Sequence, residues 1–292
     1  MLQRDLIRQV RRLELVTRRK ASSRLAGEYH SVFKGRGMDF EEVQPYAPGD
    51  DVRFLDWNVS ARTGELFIKR FVEERELTVL IAVDASASMR FGTVERNKAE
   101  IVAEIAAVLA FSAIRNNDRV GLLIFADGVQ HFIPAKKGRK HVLRIIRDIL
   151  GGTWEGTQTD ISTALDFLSR VSRRKAVVFM LSDFLADDYS RALKIAARRH
   201  DVVPIIIEDP IETTLPDINA LIPTRDPEDG RIRWLDLGSK KHRTAFQQKL
   251  TQTREERDML FRRLRLDTVP VDTNEPYIDR LVQFFRRRAA RP

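Results

Sequence analysis

The stretch LTVLIAVDASASM, residues 77–89, decides the fold. Val79, Leu80, Ile81, Ala82 and Val83 form an unbroken apolar, β-favouring run that stops at Asp84-Ala85-Ser86-Ala87-Ser88, where a carboxylate and two hydroxyls fall on alternate positions. A strand apolar on both faces belongs to a parallel sheet covered by helices on both sides. In such sheets ligands bind in the crevice beyond the carboxyl ends of the strands. Asp84, Ser86 and Ser88 therefore stand where an α/β protein keeps its site.

The pattern repeats downstream. An alanine-rich helix is expected over 97–114, with Ile101, Ile105, Val108 and Ile114 inward, and RVGLLIFA over 119–126 reads as the next buried strand. Residues 129–134 read as an edge strand returning through Asp127-Gly128. A helix over 140–150 ends at Gly151-Gly152, and a loop then leads to a helix over 161–171 with Thr159 or Asp160 as its N-cap. KAVVFMLS, 175–182, is a third apolar strand ending on a carboxylate, Asp183. A helix over 189–200, a strand over 202–207, an antiparallel hairpin of 218–223 and 231–237 across Asp229-Gly230, a long helix over 239–264, a strand over 267–271 and a closing helix over 276–288 complete the chain. Alternating strands and helices imply a doubly wound, mostly parallel α/β sheet.

Ahead of this region the pattern differs. Residues 2–26 carry Leu2, Leu6, Ile7, Val10, Leu13 and Leu15 at roughly helical spacing, as in a docking or capping arm. Residues 29–74 are Gly-punctuated, aromatic and acidic. Gly35 and Gly37 make a weak phosphate loop, since no GK[ST] follows. Pro48-Gly49-Asp50-Asp51 is a turn, and 66–72 reads as a strand. This segment is either a small extension packed on the main domain or a partner surface bearing Asp50, Asp51, Arg53, Asp56 and Trp57. The division expected is an N-terminal helical arm and extension over 1–75 and an α/β domain with C-terminal helices over 76–292.

Composition bounds the function. The 292 residues are 43% hydrophobic and 32% charged, as in a globular protein, and no apolar run reaches the roughly 18 to 20 residues of a membrane span. The N-terminus lacks the apolar block of a secretory signal, so a cytoplasmic location is expected. Zero cysteines exclude disulfides and thiolate chemistry. A net charge of +9 is concentrated near the ends, at Arg11, Arg12, Arg18, Arg19 and Lys20 and at Arg286, Arg287 and Arg288. It serves either to steer acidic partners or nucleic acid or, more economically, as solvated helix faces. The five histidines share no metal-site spacing, and neither GxSxG nor a Walker motif occurs, so no hydrolase triad and no ATPase activity are expected. Trp57, Trp154 and Trp234 read as packing residues, and Asp50-Asp51 as a solvated turn.

The Asp84 loop, the Thr159 loop and Asp183 meet at one sheet edge and offer only hard oxygens, which suit Mg²⁺ or Mn²⁺. DASAS with Met89, Thr159 ahead of Ala164-Leu165, and Asp183 after KAVVFMLS together resemble the metal-ion-dependent adhesion site of von Willebrand factor A domains. That resemblance implies direct metal ligation by Ser86 and Ser88, action mainly through waters by Asp84 and Asp183, and conformation-dependent binding by Thr159. GRGMDFEEVQPYAPGDDVRFLDWNVSAR, FVEERE and VDTNEPYIDRLVQFFRRR resemble the bacterial domain of unknown function 58 family, over nearly the whole chain. The resemblance implies a MoxR-type AAA+ ATPase as partner in a chaperone-like or maturation system. The expected function is non-enzymatic: a metal-dependent protein-interaction module that grips an acidic residue of a client. The competing classes are nucleic-acid binding by the Arg-rich ends, and a metal-dependent hydrolase, which lacks a general base.

Overall fold

The computed structural model describes Val10 and residues 28–29, 39–72, 76–93, 96–154, 156, 158–186, 188–213, 215, 218–225 and 232–290. The arm over 2–26 (Val10, which is helical, apart), Gly35, Gly37 and the Asp229-Gly230 turn lie outside them. The chain divides into two compact units, Phe33–Leu77 and a larger one of Met1–Val32 with Thr78–Pro292.

In the smaller unit, β1 (Asp39–Pro45) pairs antiparallel with β2 (Phe67–Val72), and between them lie a 3-10 turn, Val52–Phe54, and the helix α1 (Trp57–Thr63). The strand β1 and the helix carry no periodic apolar signal in the sequence. Their ends are fixed by side chains instead: Asp51 accepts from the Arg53 amide, Asp56 caps α1 through the Asn58 and Val59 amides, and the Ser60 hydroxyl accepts from the Phe67 amide. Pro48-Gly49 forms the expected turn, with Gly49 at φ +112°, closed by the Ala47 amide donating to Asp50.

The larger unit is a mostly parallel six-stranded sheet in the order β10-β7-β6-β3-β4-β5, formed by β3 (Thr78–Asp84), β4 (Arg119–Phe125), β5 (Val129–Lys136), β6 (Val177–Ser182), β7 (Asp201–Glu208) and β10 (Val269–Asp272). Only the edge strand β5 runs antiparallel, on β4. The helices are α2 (Lys98–Arg115), α3 (Arg139–Gly151), α4 (Ile161–Val171), α5 (Ser190–Arg199), the short α6 (Pro210–Thr213), α7 (Lys240–Arg263) and α8 (Tyr277–Ala289). A separate hairpin pairs β8 (Leu221–Arg225) with β9 (Ile232–Asp236).

The pleat sends alternate residues to opposite faces. Leu80, Ala82, Leu123, Phe125, Val178, Met180, Val202 and Ile206 pack against Leu165 and Leu168 of α4, Leu193 of α5 and Phe261 of α7. The other parity serves the opposite layer, where Phe179 meets Phe285 of α8 edge-on at 6.4 Å. Tyr29 is fully buried there too, edge-on to Phe285 and donating to Asp118 Oδ2 at 3.1 Å. Burial on both faces explains why the four central strands read as continuous apolar runs rather than alternating ones.

The strand order makes one point special. From β3 the chain builds outward to β4 and β5, then returns to the other side of β3 to lay down β6, β7 and β10. The direction reverses between β3 and β6, whose carboxyl ends open the crevice expected to hold a ligand. Asp84 ends β3, and Asp183 directly follows β6.

Candidate metal centre

The Asp84 loop is shaped by its own side chains. One carboxylate oxygen of Asp84 accepts from the Ser86 amide at 2.9 Å, an Asx turn that ends the strand. The other accepts from the Ser182 hydroxyl at 2.6 Å, joining β3 to β6 across the crevice. The Ala85 amide donates to the Phe125 carbonyl at 2.8 Å, and Ala87–Arg90 follow as a 3-10 turn. The hydroxyls of Ser86 and Ser88 lie 3.1 Å apart. Burial, and then the nearby Asp183 charge, push the Asp84 carboxyl up to about 7.

Asp183 is held by the turn after β6. Its Oδ1 accepts from the Leu185 amide at 3.2 Å, and its carbonyl accepts from Arg257 of α7 at 3.0 Å. The next residue, Phe184, is buried at φ +56°, a left-handed conformation costly for a bulky side chain and retained here beside the site.

The Thr159 loop is tied in from two directions. The Asp160 amide donates to the Ala126 carbonyl at 2.7 Å, and the Arg90 guanidinium donates to the carbonyls of Trp154 at 2.6 Å and Gly156 at 3.1 Å. Asp160 caps α4 by accepting from Thr163. Thr159 makes no hydrogen bond to the other four expected residues; its hydroxyl is buried without a hydrogen-bond partner among the described residues.

These donors fit a hard divalent cation. Two oxygens bound cis to Mg²⁺ at about 2.1 Å lie about 3 Å apart, close to the Ser86–Ser88 separation. The unpartnered Thr159 hydroxyl is a spare oxygen in the adjoining loop. Among the described residues no three His, Asp or Glu side chains gather to hold a metal, so any such site depends on hydroxyls supplementing the two carboxylates.

Several participants have no motif in the sequence. Lys98, at the start of α2, is fully buried and donates to Asp183 Oδ2 at 3.2 Å and to Glu212 Oε1 at 2.5 Å. Burial alone would lower its pKa, but the Asp183 and Glu212 carboxylates outweigh burial and hold the ammonium above the usual lysine value. Glu212 in turn accepts from the Asp209 amide at 3.0 Å. Asp209 is buried at the end of β7, where the Thr93, Ile211 and Thr273 side chains or amides donate to it. Two signals were available: Lys98 falls three and four residues before Ile101 and Val102 on the inward stripe of α2, and VVPIII, like the strands before Asp84 and Asp183, runs into Glu208 and Asp209.

The other expected partner residues belong to the smaller unit. Asp51 pairs with Arg53 at 2.6 Å, Asp56 lies 3.5 Å from Lys69 besides capping α1, and Asp50 closes its turn. The tryptophan expectation needs correction. Trp57 and Trp234 are 68% and 65% exposed and do not pack in a core, because α1 and the β8–β9 hairpin each leave one face uncovered; only Trp154 is partly buried, stacked on His131 at 5.8 Å. The C-terminal arginines are engaged internally: Arg286 pairs with Glu28, Arg287 donates to the Thr268 carbonyl, and Arg288 pairs with Asp201 and Asp267. No helix among the described residues is long and apolar enough to cross a membrane.

Comparison with known proteins finds relatives without an assigned activity. Uncharacterized protein Rv1480 of Mycobacterium tuberculosis is 34% identical over 227 residues, covering 77% of this chain and 71% of that protein. Uncharacterized protein YeaD of Bacillus subtilis is 24% identical over 161 residues, 55% of this chain and 38% of that one. Among solved structures, the conserved hypothetical protein BatB of Bacteroides thetaiotaomicron gives a TM-score of 0.47 at 18% identity, covering 73% of this chain and 98% of that one. The SpRpn10 VWA domain gives 0.40 at 10% identity, covering 71% and 94%. The family model described as "Protein of unknown function DUF58" matches residues 42–256, and the chain belongs to that family.

Proposed function

We propose that this chain is a non-enzymatic protein-interaction module whose Asp84, Ser86, Ser88, Thr159 and Asp183 hold Mg²⁺ or Mn²⁺ and leave a coordination position for a carboxylate of an acidic partner. The observation that carries this reading is the paired Ser86 and Ser88 hydroxyls, 3.1 Å apart beside the buried Asp84 at the switch point of the sheet. Two carboxylates and three neutral hydroxyls fall short of six full-strength ligands, so such a site readily takes an oxygen from outside. The bound ion would supply a Lewis-acidic point that accepts that oxygen.

The chain's own residues do the positioning. Ser182 fixes the Asp84 carboxylate, the Asx turns at Asp84 and Asp183 aim both loops, and Arg90 fastens the Thr159 loop to the Ser86 loop. His131 bonds to Asp148, His141 to the Val120 carbonyl, and His200 Nδ1 accepts from the Ala176 amide, so none of these three is bonded to Asp84 or Asp183. A MoxR-type AAA+ ATPase as partner and a chaperone-like role on an acidic client form part of the same proposal and rest on the family resemblance, whereas the cytoplasmic location proposed with them rests on the composition of the N-terminal stretch.

The test is co-purification of partners with wild type and with Asp84→Ala, with and without EDTA. Retention by wild type in Mg²⁺, lost on chelation and in the variant, is expected. Retention indifferent to both changes overturns the reading.

A further inference from the structure

A fully buried lysine beside a candidate metal centre needs an explanation. Lys98 occupies the first turn of α2, where the helix dipole is positive and a cation is disfavoured, and its desolvation is costly. No motif demands it. Its ammonium spans two carboxylates from separate parts of the chain, Asp183 after β6 and Glu212 in α6. Asp183 thus faces Lys98 with Oδ2 and keeps Oδ1 on the Leu185 amide. Glu212 faces Lys98 with Oε1 and keeps Oε2 on the Asp209 amide. With Asp84 deprotonated, as a bound cation requires, the cluster of Asp84, Asp183, Glu212 and Lys98 carries three negative charges and one positive. Its formal charge of −2 is that which a divalent cation neutralises.

We propose that Lys98 is a resident cation that sets the affinity of the Asp84–Asp183 site for divalent metal, by sharing Asp183 with the metal and being itself held back by Glu212. This rests on the metal-dependent reading above and extends it to two residues outside the motif. With Lys98 in place, Asp183 and Glu212 keep a counter-charge while Asp84 is held by the Ser86 amide and the Ser182 hydroxyl, so the crevice keeps its shape before metal arrives. The cost is competition: the ammonium repels an incoming cation and occupies one oxygen of Asp183. Glu212 moderates this by drawing the ammonium toward α6. Two substitutions should therefore act in opposite directions. Lys98→Met, similar in length and unbranched, removes the competing charge. Glu212→Gln removes the restraint and one negative charge, leaving Lys98 wholly to Asp183.

The experiment is Mn²⁺ binding to the full chain, followed by the loss of the free-ion electron paramagnetic resonance signal, with Mg²⁺ as competitor. Lys98→Met should bind Mn²⁺ at least about tenfold more tightly than wild type and Glu212→Gln at least about tenfold more weakly, a floor well below what a unit charge about 4 Å away implies at an effective dielectric near 20. The double variant restores the charge of −2 and should return toward wild type. Should Lys98→Met fail to fold, Glu212→Gln and the double variant decide the matter, the double variant binding more tightly than Glu212→Gln. Binding by wild type with both single variants unchanged, or both weakened, overturns the role given to Lys98 and leaves the metal reading standing. No binding by wild type, or binding unaltered in Asp84→Ala, overturns both.

Discussion

The Ser182 hydroxyl, at the end of β6, donates to the Asp84 carboxylate at the end of β3 across 2.6 Å. It also accepts from the Phe184 amide at 3.0 Å, so one small side chain links the two carboxylate-bearing loops. A hydrogen bond to a charged group contributes about 1.5 to 3 kcal/mol. Ser182→Ala should therefore weaken Mn²⁺ binding at pH 7 by about tenfold or more while preserving the fold. Titration of the purified variant beside wild type, with circular dichroism as control, checks this.

The raised Asp84 pKa gives stability a definite pH dependence. An acid whose folded pKa stands above its unfolded value binds more protons when folded, so folding weakens as pH rises from about 4 through about 7. For chelated protein this lowers stability over that interval, by an amount the Asp84–Asp183 pair sets jointly. Thermal melts in EDTA should fall between pH 5 and pH 8, and Asp84→Asn should flatten the slope. Mg²⁺ should raise the melting temperature more at pH 8 than at pH 5, because it binds the deprotonated carboxylate.

Thr159 offers a separation of stability from function. Its buried hydroxyl lacks a partner among the described residues, and a buried hydroxyl left unpaired costs about 1 to 3 kcal/mol. Thr159→Val keeps the shape and removes the hydroxyl. Chelated protein should gain about 1 kcal/mol in urea unfolding, while Mn²⁺ affinity should drop by about tenfold. A variant neither more stable nor weaker in binding would remove Thr159 from the site.

The Thr159 loop has little room to move. A Cβ at Gly156 would sit 2.1 Å from the Ala126 Cβ and 2.4 Å from Asp127 Oδ1. Gly156→Ala should cost about 1 to 3 kcal/mol by overpacking and displace the loop that Arg90 holds. Arg90→Ala, whose side chain is exposed, should leave urea stability within about 0.5 kcal/mol and still reduce metal affinity. Urea melts and Mn²⁺ titration of the two variants distinguish packing from positioning.

The parts of this molecule legible in its sequence are those whose signal is local. β3, β4, β6 and β7 announce themselves because burial on both faces leaves only apolar residues, and Asp84, Ser86 and Ser88 lie within one turn. Asp160 as the cap of α4 is equally local. What escaped depends on partners distant in the chain. Lys98 meets Asp183 and Glu212 across 85 and 114 residues, and in isolation it reads as an ordinary first-turn lysine. Arg257 lies on α7, a largely exposed and charged helix, yet reaches the Asp183 carbonyl and Glu208. The strand β1 and helix α1 are specified by Asp56, Ser60 and Gly49 more than by apolar period, so the segment reads as irregular.

The most direct measurement of the central claim is Mg²⁺ titration of the purified chain by calorimetry, for wild type and for Asp84→Ala. Binding of one ion per chain by wild type, abolished in Asp84→Ala while the fold persists, is the predicted result. Absence of binding by wild type, or equal binding by the variant, would contradict the account.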